Sequence, residues 1–224
     1  MKSLPLILSP LLLIGADIEA LQYQSLRVTH LDGRSYVVER YVPAECLDVG
    51  ITPEQIWKKE NVPSACIQPL VSTVGKLSKV SMDEDIETYG ELEVLAYMKA
   101  MPKMRGSMLL VDSRSEEWYE HETIPGAVNI WFMALTRPEL FPEEFKRALE
   151  QLQITINKDG SFDFSNAPFV LLFCNGAWCT QSPNAIKALM KMGYPKEKLK
   201  WYRGGMHDWK GLSMTTTLRQ PDAR

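Results

Sequence analysis

The sequence predicts an α/β fold, in which helices flank both faces of a parallel β-sheet and a small irregular N-terminal subdomain precedes the sheet. The first indication is a set of short, mostly apolar runs of strand length, typical of strands buried on both faces. These runs are residues 108–111, 128–131, 170–173 and 199–202. The second indication is a set of segments with apolar residues at helical spacing. These segments are residues 89–100, 142–152 and 182–192.

The N-terminal third has less regular structure. Residues 27–38 form a predicted hairpin that turns at Asp32-Gly33, a dipeptide typical of tight hairpin turns. A short helix is expected to begin at Thr52, with Pro53 at its first position. Several prolines break up the rest, so we expect this region to depend on the larger domain for support.

Two smaller elements are predicted nearer the C-terminus. Residues 154–164 form an expected small hairpin that turns at Asp159-Gly160. Residues 206–212 form a last short helix, which follows a turn at Gly204-Gly205.

The composition excludes some classes of function. The formal net charge of −3 and the pI of about 5.7 argue against a general nucleic-acid binder. No apolar stretch reaches the roughly 20 residues that a membrane-spanning helix needs. A chain of 224 residues suits one full domain and a smaller region.

Residues 1–20 have the composition of a secretory signal peptide. Lys2 precedes an apolar run at residues 4–14, and small residues suited to cleavage follow at Ala16 and Ala20. Two prolines interrupt the run, and the alternative is an apolar arm that packs on the domain. The expected location is therefore periplasmic or secreted.

The four cysteines fall into two pairs. In an exported protein, Cys46 and Cys66 would form a structural disulfide. Closing a loop of about 20 residues, the separation of Cys46 and Cys66, stabilises a fold by about 3 kcal/mol in the chain-entropy model. Two buried free thiols are the alternative if the protein is not exported.

The other pair, Cys174 and Cys179, lies where a predicted strand ends. Cys174 directly follows residues 170–173 and begins a loop that runs toward the next helix. Backbone N–H groups and the start of a helix both favour a thiolate, so Cys174 is a candidate nucleophile. We expect the helix to begin with Ser182 as its N-cap and Pro183 in its first turn.

Several segments together resemble the rhodanese family. They are Asp112-Ser113-Arg114, residues 123–130 with Ile124-Pro125-Gly126 among them, the strand that ends in Cys174, Tyr202-Arg203-Gly204-Gly205, and Trp209. They occur in family order over residues 85–217. The expected domains are then a signal peptide at 1–20, a small N-terminal region at 21–84, the rhodanese-like domain at 85–217 and a tail at 218–224.

The resemblance implies a sulfurtransferase. Its loop cysteine, here Cys174, takes a sulfane sulfur from a donor such as thiosulfate, holds it as a persulfide and passes it to a thiol or cyanide-like acceptor. Asp112 and Arg114 match the family's Asp-x-Arg, which supports the loop. The residues whose N–H groups would cradle the persulfide are Asn175, Gly176, Ala177, Trp178, Cys179, Thr180 and Gln181. No cofactor, metal, nucleic acid or membrane span is implied.

The loop departs from the family pattern in two ways. It is about two residues longer than in common rhodaneses, as in phosphatases of the same fold, but residues 178–181 lack the arginine that clamps a phosphate. Phosphate chemistry is therefore disfavoured. The second departure is Cys179, which would resolve a persulfide, form a regulatory disulfide or simply pack. Two cysteines without a nearby histidine give too few ligands for a metal.

Two other functions stay open at this point. One is a sulfur-carrier or binding module that docks on a redox protein partner through residues 21–80 and turns over little alone. The other is a thiol–disulfide redox protein that uses Cys174 and Cys179.

Overall fold

Five parallel strands form the central sheet of the computed structural model, which describes residues 26–39, 43–46, 62–66, 79–104 and 106–218. In spatial order they are β3 (Glu87–Tyr89), β9 (Leu199–Tyr202), β8 (Phe169–Phe173), β4 (Met108–Asp112) and β5 (Val128–Asn129). Each neighbouring pair is parallel. Two short hairpins lie outside this sheet, β1 (Leu26–Thr29) with β2 (Ser35–Val38), and β6 (Thr155–Ile156) with β7 (Phe162–Asp163).

Helices connect the strands and cover the sheet. They are α1 (Glu91–Ala100), α2 (Glu116–His121), α3 (Phe132–Thr136), α4 (Pro142–Gln151), α5 (Gln181–Met192) and α6 (Gly205–Gly211). Short 3-10 helices occur at Ala44–Cys46, Ser64–Cys66, Met101–Met104 and Lys196–Lys198. The predicted α/β fold, a parallel sheet flanked by helices on both faces, is confirmed.

The sheet has a buried core on each face, because successive side chains of a strand point to opposite sides. Val170 and Leu172 of β8 belong to a core with α3, α4 and α5, whereas Leu171 and Phe173 belong to a core with α1 and α6. All four side chains are at most 1% exposed. This two-sided burial explains why β8 is a continuous apolar run, and it holds the end of β8 rigidly in the middle of the sheet.

The N-terminal hairpin packs directly on this domain. Val38 belongs to the core that contains α1 and α6. The N–H of Gly126 donates a hydrogen bond of 3.1 Å to Nδ1 of His30, just beyond β1. On its other side the hairpin contacts the C-terminal segment, where the N–H of Thr215 donates to the carbonyl of Glu39 at 3.0 Å. The hairpin therefore contacts the larger domain at both Gly126 and Thr215.

Cys46 and Cys66 form the expected disulfide, so those two residues are not free thiols. The predicted signal peptide and the predicted helix at Thr52 lie outside the described residues. Among the residues that the structure describes, no helix is both long and apolar enough to cross a membrane.

The strand predicted at residues 128–131 is shorter than expected and ends at Asn129. Its partner β4 ends at Asp112, and the N–H of Phe132 already donates to the carbonyl of Ser113 at 3.0 Å as the chain enters α3. Three further elements, β3, α2 and α3, were not predicted, and they are only three to six residues long.

Candidate active site

Cys174 lies at the carboxyl-terminal edge of the sheet, where parallel-sheet proteins commonly bind ligands. It follows the last residue of β8, Phe173, which pairs with Asp112 of β4. The N–H of Ser113 donates to the carbonyl of Phe173 at 2.9 Å. The sheet therefore brings the Cys174 loop and the Asp112-x-Arg114 segment together, although they are about 60 residues apart in sequence.

The Cys174 thiol is buried next to a hydrogen-bond donor. Its side chain is 2% exposed, and the Oγ of Ser182 donates to its Sγ at 3.1 Å. The same Oγ accepts a hydrogen bond of 3.1 Å from Nε1 of Trp201. Because an indole N–H can only donate, the Ser182 proton is left to point at the sulfur. This arrangement stabilises negative charge on Cys174.

Cys179 folds back onto Cys174. The N–H of Cys179 donates to the carbonyl of Gly176 at 2.9 Å, which closes a tight turn. The Cys174 thiol also lies 3.6 Å from the carbonyl oxygen of Cys179. Both cysteines are buried and free, and each thiol alters the acidity of the other. The loop therefore contains a pair of interacting thiols.

The two thiols differ in acidity. Burial raises the pKa of Cys174 above its ordinary value, and the interaction with Cys179 raises it further. The hydrogen bond from Cys174 lowers the pKa of Cys179 to about 6, helped by the N–H groups of Gln181 and Asn175. We expected the loop N–H groups to favour a Cys174 thiolate. In this structure the N–H groups of Gln181 and Asn175 instead lower the pKa of Cys179, so Cys179 is the first thiol of the pair to ionise.

The helix after the loop begins earlier than predicted. It starts at Gln181 with Thr180 as its N-cap, so Ser182 is not the cap and Pro183 lies at the third helical position. Ser182 is fully buried one step inside the helix, where its hydroxyl contacts Cys174. Sequence reasoning missed this contact, and missed Trp201 as its partner. The available signal for this contact was a serine close to the start of the helix that follows the Cys174 loop.

A glycine turn supports the loop from the side of α6. The N–H groups of Met206 and His207 donate to the carbonyls of Cys174 and Asn175 at 3.0 and 2.8 Å. Gly205 has a φ of +56°, and a Cβ placed there would lie 2.3 Å from the Cys174 carbonyl oxygen. The turn therefore approaches the loop so closely that only glycine fits without displacing the backbone.

Trp178 covers the loop. Its ring packs edge-on against His207, with ring centroids 4.8 Å apart, and lies over Gly176. Nδ1 of His207 lies 2.8 Å from Oδ1 of Asp208. Of the other loop residues, Thr180 is exposed and Asn175 and Ala177 are partly buried.

Asp112 and Arg114 form a buried ion pair. Their side chains are 0% and 3% exposed, and Nη2 of Arg114 lies 2.6 Å from Oδ2 of Asp112. The same Asp112 oxygen accepts a hydrogen bond of 2.7 Å from Thr123, and Arg114 also donates to the carbonyl of Glu122. The guanidinium is thus held by the segment that precedes Ile124, an arrangement suited to a supporting role.

A separate cavity of about 470 Å³ lies beside α2 and β5, and none of the loop residues 174–181 lines it. Its lining includes Glu116, Glu117, Glu120 and Glu144, of which Glu144 is paired with Arg147, so three glutamates are left in excess. Such a lining repels anions, so the cavity does not suit an anionic sulfur donor. Elsewhere in the described part of the chain, no cluster of three or more His, Cys, Asp or Glu side chains could hold a metal ion.

Replacing Cys179 with alanine is expected to raise the pH at which iodoacetamide alkylates the loop. The remaining thiol, Cys174, is buried, and burial keeps its pKa above the ordinary value even without the further rise that Cys179 causes. In Cys174→Ala, Cys179 keeps the N–H groups of Asn175 and Gln181, so its alkylation midpoint should lie at lower pH than in Cys179→Ala. Alkylation rates measured against pH test the order, and equal midpoints would contradict it.

Comparison with known proteins gives one family match. The family model of the rhodanese-like domain matches residues 94–212, more than half of the chain. No curated protein matches the chain significantly.

Solved structures with a similar fold come from several bacteria. The BH2092 protein of Bacillus halodurans is 18% identical, covering 60% of this chain and 79% of its own, with a TM-score of 0.40. A rhodanese-like domain from Anabaena sp. is 18% identical over 63% of this chain and 88% of its own, with a TM-score of 0.38. A structure described as rhodanese with anions from E. coli is 23% identical over 49% and 96%, with a TM-score of 0.30.

Proposed function

This chain belongs to the rhodanese-like domain family, and on that premise we propose that it is a sulfurtransferase whose Cys174 carries sulfane sulfur as a persulfide. The observation that supports this most is the Cys174 site itself. The thiol ends the central strand, accepts a hydrogen bond from Ser182 and contacts a second thiol that can take its proton. A nucleophile with an adjacent base is what covalent transfer needs.

In the loading step, Cys174 passes its proton to Cys179 and attacks the outer sulfur of thiosulfate as a thiolate. A bond forms between Cys174 Sγ and that sulfur, the sulfur–sulfur bond of the donor breaks, and sulfite leaves with the bonding electron pair. Ser182 stabilises the thiolate that reacts. Since the Cys174 side chain is 2% exposed, the loop must shift for the donor to reach it.

In the unloading step, a thiol or cyanide attacks the outer sulfur of the persulfide. The acceptor leaves as a persulfide or as thiocyanate, and Cys174 recovers its thiolate. Asp112 and Arg114 take no part in bond making here. Their buried ion pair fixes the segment beside the loop. The loop residues 175–181 are proposed to cradle the charged sulfur.

We also propose that the protein acts outside the cytoplasm, either in the periplasm or as a secreted protein. The Cys46–Cys66 disulfide supports this, because structural disulfides persist in oxidising compartments. Residues 1–20 would then be a signal peptide, 21–84 a small N-terminal region, 85–217 the sulfurtransferase domain and 218–224 a tail.

A thiol–disulfide redox protein is the second candidate function. It is favoured by the loop geometry, because both thiols are free and Cys174 Sγ lies 3.6 Å from the carbonyl oxygen of Cys179. In this case the loop would exchange electrons with a redox partner protein without carrying sulfur.

Intact mass after treatment with thiosulfate tests the proposal. We expect Cys179→Ser to gain one sulfur atom and Cys174→Ser to gain none, and we expect the wild type to convert cyanide to thiocyanate. If neither the wild type nor Cys179→Ser gains sulfur or forms thiocyanate, the sulfurtransferase function is excluded. A reversible loss of two hydrogens from the wild type, independent of thiosulfate, would then favour the redox function.

A further inference from the structure

The second thiol of the loop is placed to react with the first. Cys179 is 8% exposed and Cys174 is 2% exposed, so neither side chain is open to a large reagent. The turn from Gly176 to Cys179 nevertheless brings the chain back over Cys174, whose Sγ lies 3.6 Å from the carbonyl oxygen of Cys179.

We propose, on the basis of the proposed sulfurtransferase function, that Cys179 resolves the Cys174 persulfide internally, which releases hydrosulfide and leaves a Cys174–Cys179 disulfide. The thiol of Cys179, which gained the Cys174 proton during loading, passes a proton to the outer sulfur of the persulfide, and its Sγ then attacks the Sγ of Cys174 as a thiolate. The bond between Cys174 Sγ and the outer sulfur breaks, and hydrosulfide leaves with the bonding electrons. The sulfane sulfur is reduced to sulfide, while the two cysteine sulfurs are oxidised to a disulfide.

Access favours this route over attack by an external thiol. Thiol–disulfide exchange depends on how easily the attacking sulfur reaches its target. Cys179 already lies beside Cys174 in the same loop, whereas an external thiol must reach a Cys174 side chain that is only 2% exposed. An intramolecular thiol also acts at a high effective concentration.

The charges at the site also favour attack by Cys179 on the persulfide. The N–H groups of Gln181 and Asn175 lower the pKa of Cys179 without help from the Cys174 proton, so they favour its thiolate after Cys174 has taken up sulfur. Cys179 therefore supplies the attacking charge, and hydrosulfide is a good leaving group because its conjugate acid is more acidic than a thiol.

The resulting disulfide must be reduced before another turnover. Electron balance requires two electrons per cycle, which one external dithiol supplies as it becomes a disulfide and Cys174 and Cys179 return to thiols. A dithiol that reduces disulfides is the class of partner that this chemistry fits. The loop would then link sulfane sulfur to a dithiol reductant, with sulfide as the product.

A single-turnover experiment without added thiol tests the inference. Reduced full-length protein, under exclusion of oxygen, is mixed with thiosulfate, and released sulfide is measured with intact mass. Trypsin should produce a peptide of residues 159–187 that contains both loop cysteines and neither Cys46 nor Cys66. For the wild type we expect one equivalent of sulfide and the loss of two hydrogens from this peptide. Cys179→Ser should retain the added sulfur and release no sulfide.

The outcomes separate this inference from the proposed function. If the wild type holds its sulfur as stably as Cys179→Ser, the protein is a sulfurtransferase but Cys179 does not resolve it. If neither the wild type nor Cys179→Ser gains sulfur or releases sulfide, the proposed function fails as well. If the disulfide forms without sulfide, or in a control without thiosulfate, simple oxidation explains it and the inference is wrong. Cys179→Ala is a second variant that lacks the Cys179 thiol, and circular dichroism checks that it is folded.

Discussion

Replacing Gly205 with alanine is expected to be among the most damaging single changes in this protein. The residue has a φ of +56°, where a side chain costs about 1–3 kcal/mol. The added Cβ would also lie 2.3 Å from the Cys174 carbonyl oxygen and 2.8 Å from the Gly176 nitrogen. Both are backbone atoms, so relief requires moving the loop itself. We expect the free energy of unfolding to fall by about 2–5 kcal/mol.

The same change should impair the chemistry, because the Met206 and His207 N–H groups that hold the Cys174 and Asn175 carbonyls would shift with the turn. Urea unfolding and persulfide loading by intact mass measure the two effects. Gly211→Ala is the matched control, since it lies at the end of the same helix and its added Cβ would meet no atom within 4 Å. The explanation is wrong if Gly205→Ala and Gly211→Ala unfold at the same urea concentration.

The sheet was predictable from the sequence because the burial of each strand determines which of its residues are apolar. Burial on both faces makes β8 uniformly apolar, and it places Cys174 at the edge where β4 also ends. The hairpin at Asp32-Gly33 was predictable because the turn needs a positive φ, and Gly33 has a φ of +80°. In both cases, local chemistry and the final packing favour the same conformation.

The details of the loop were not predictable in the same way. Ser182 near a helix start is a good cap by propensity, but in the structure its hydroxyl is shared between Trp201 and Cys174. Trp201 lies on β9, so this contact depends on the tertiary fold. The position of Cys179 depends on the backbone turn that begins at Gly176, for which the sequence offers no rule. The short helices α2 and α3 are too brief for apolar periodicity to detect.

The second large effect is expected from Asp112→Asn, which keeps the shape of the side chain but removes its charge. The carboxylate accepts hydrogen bonds from Arg114 and Thr123 in a site with no exposed surface. The variant leaves the Arg114 guanidinium buried without a counter-charge, and an amide N–H₂ would face other donors. Removing one partner of a buried ion pair destabilises a fold by about 3–5 kcal/mol, and we expect a loss of that size in urea unfolding.

Asp32→Asn is the control that isolates burial as the cause. Asp32 and Arg34 form the same Asp-x-Arg arrangement, with the Arg34 N–H donating to Oδ1 of Asp32 at 2.9 Å, just as the Arg114 N–H donates to Asp112 at 3.0 Å. The Arg34 side chain is 62% exposed, however, so water can replace its partner. We expect the urea midpoint to change little in Asp32→Asn. Equal midpoints for the two variants would mean that the buried pair contributes no more than a surface pair, and that the loop beside Cys174 is held in place by the sheet and the Gly205 turn alone.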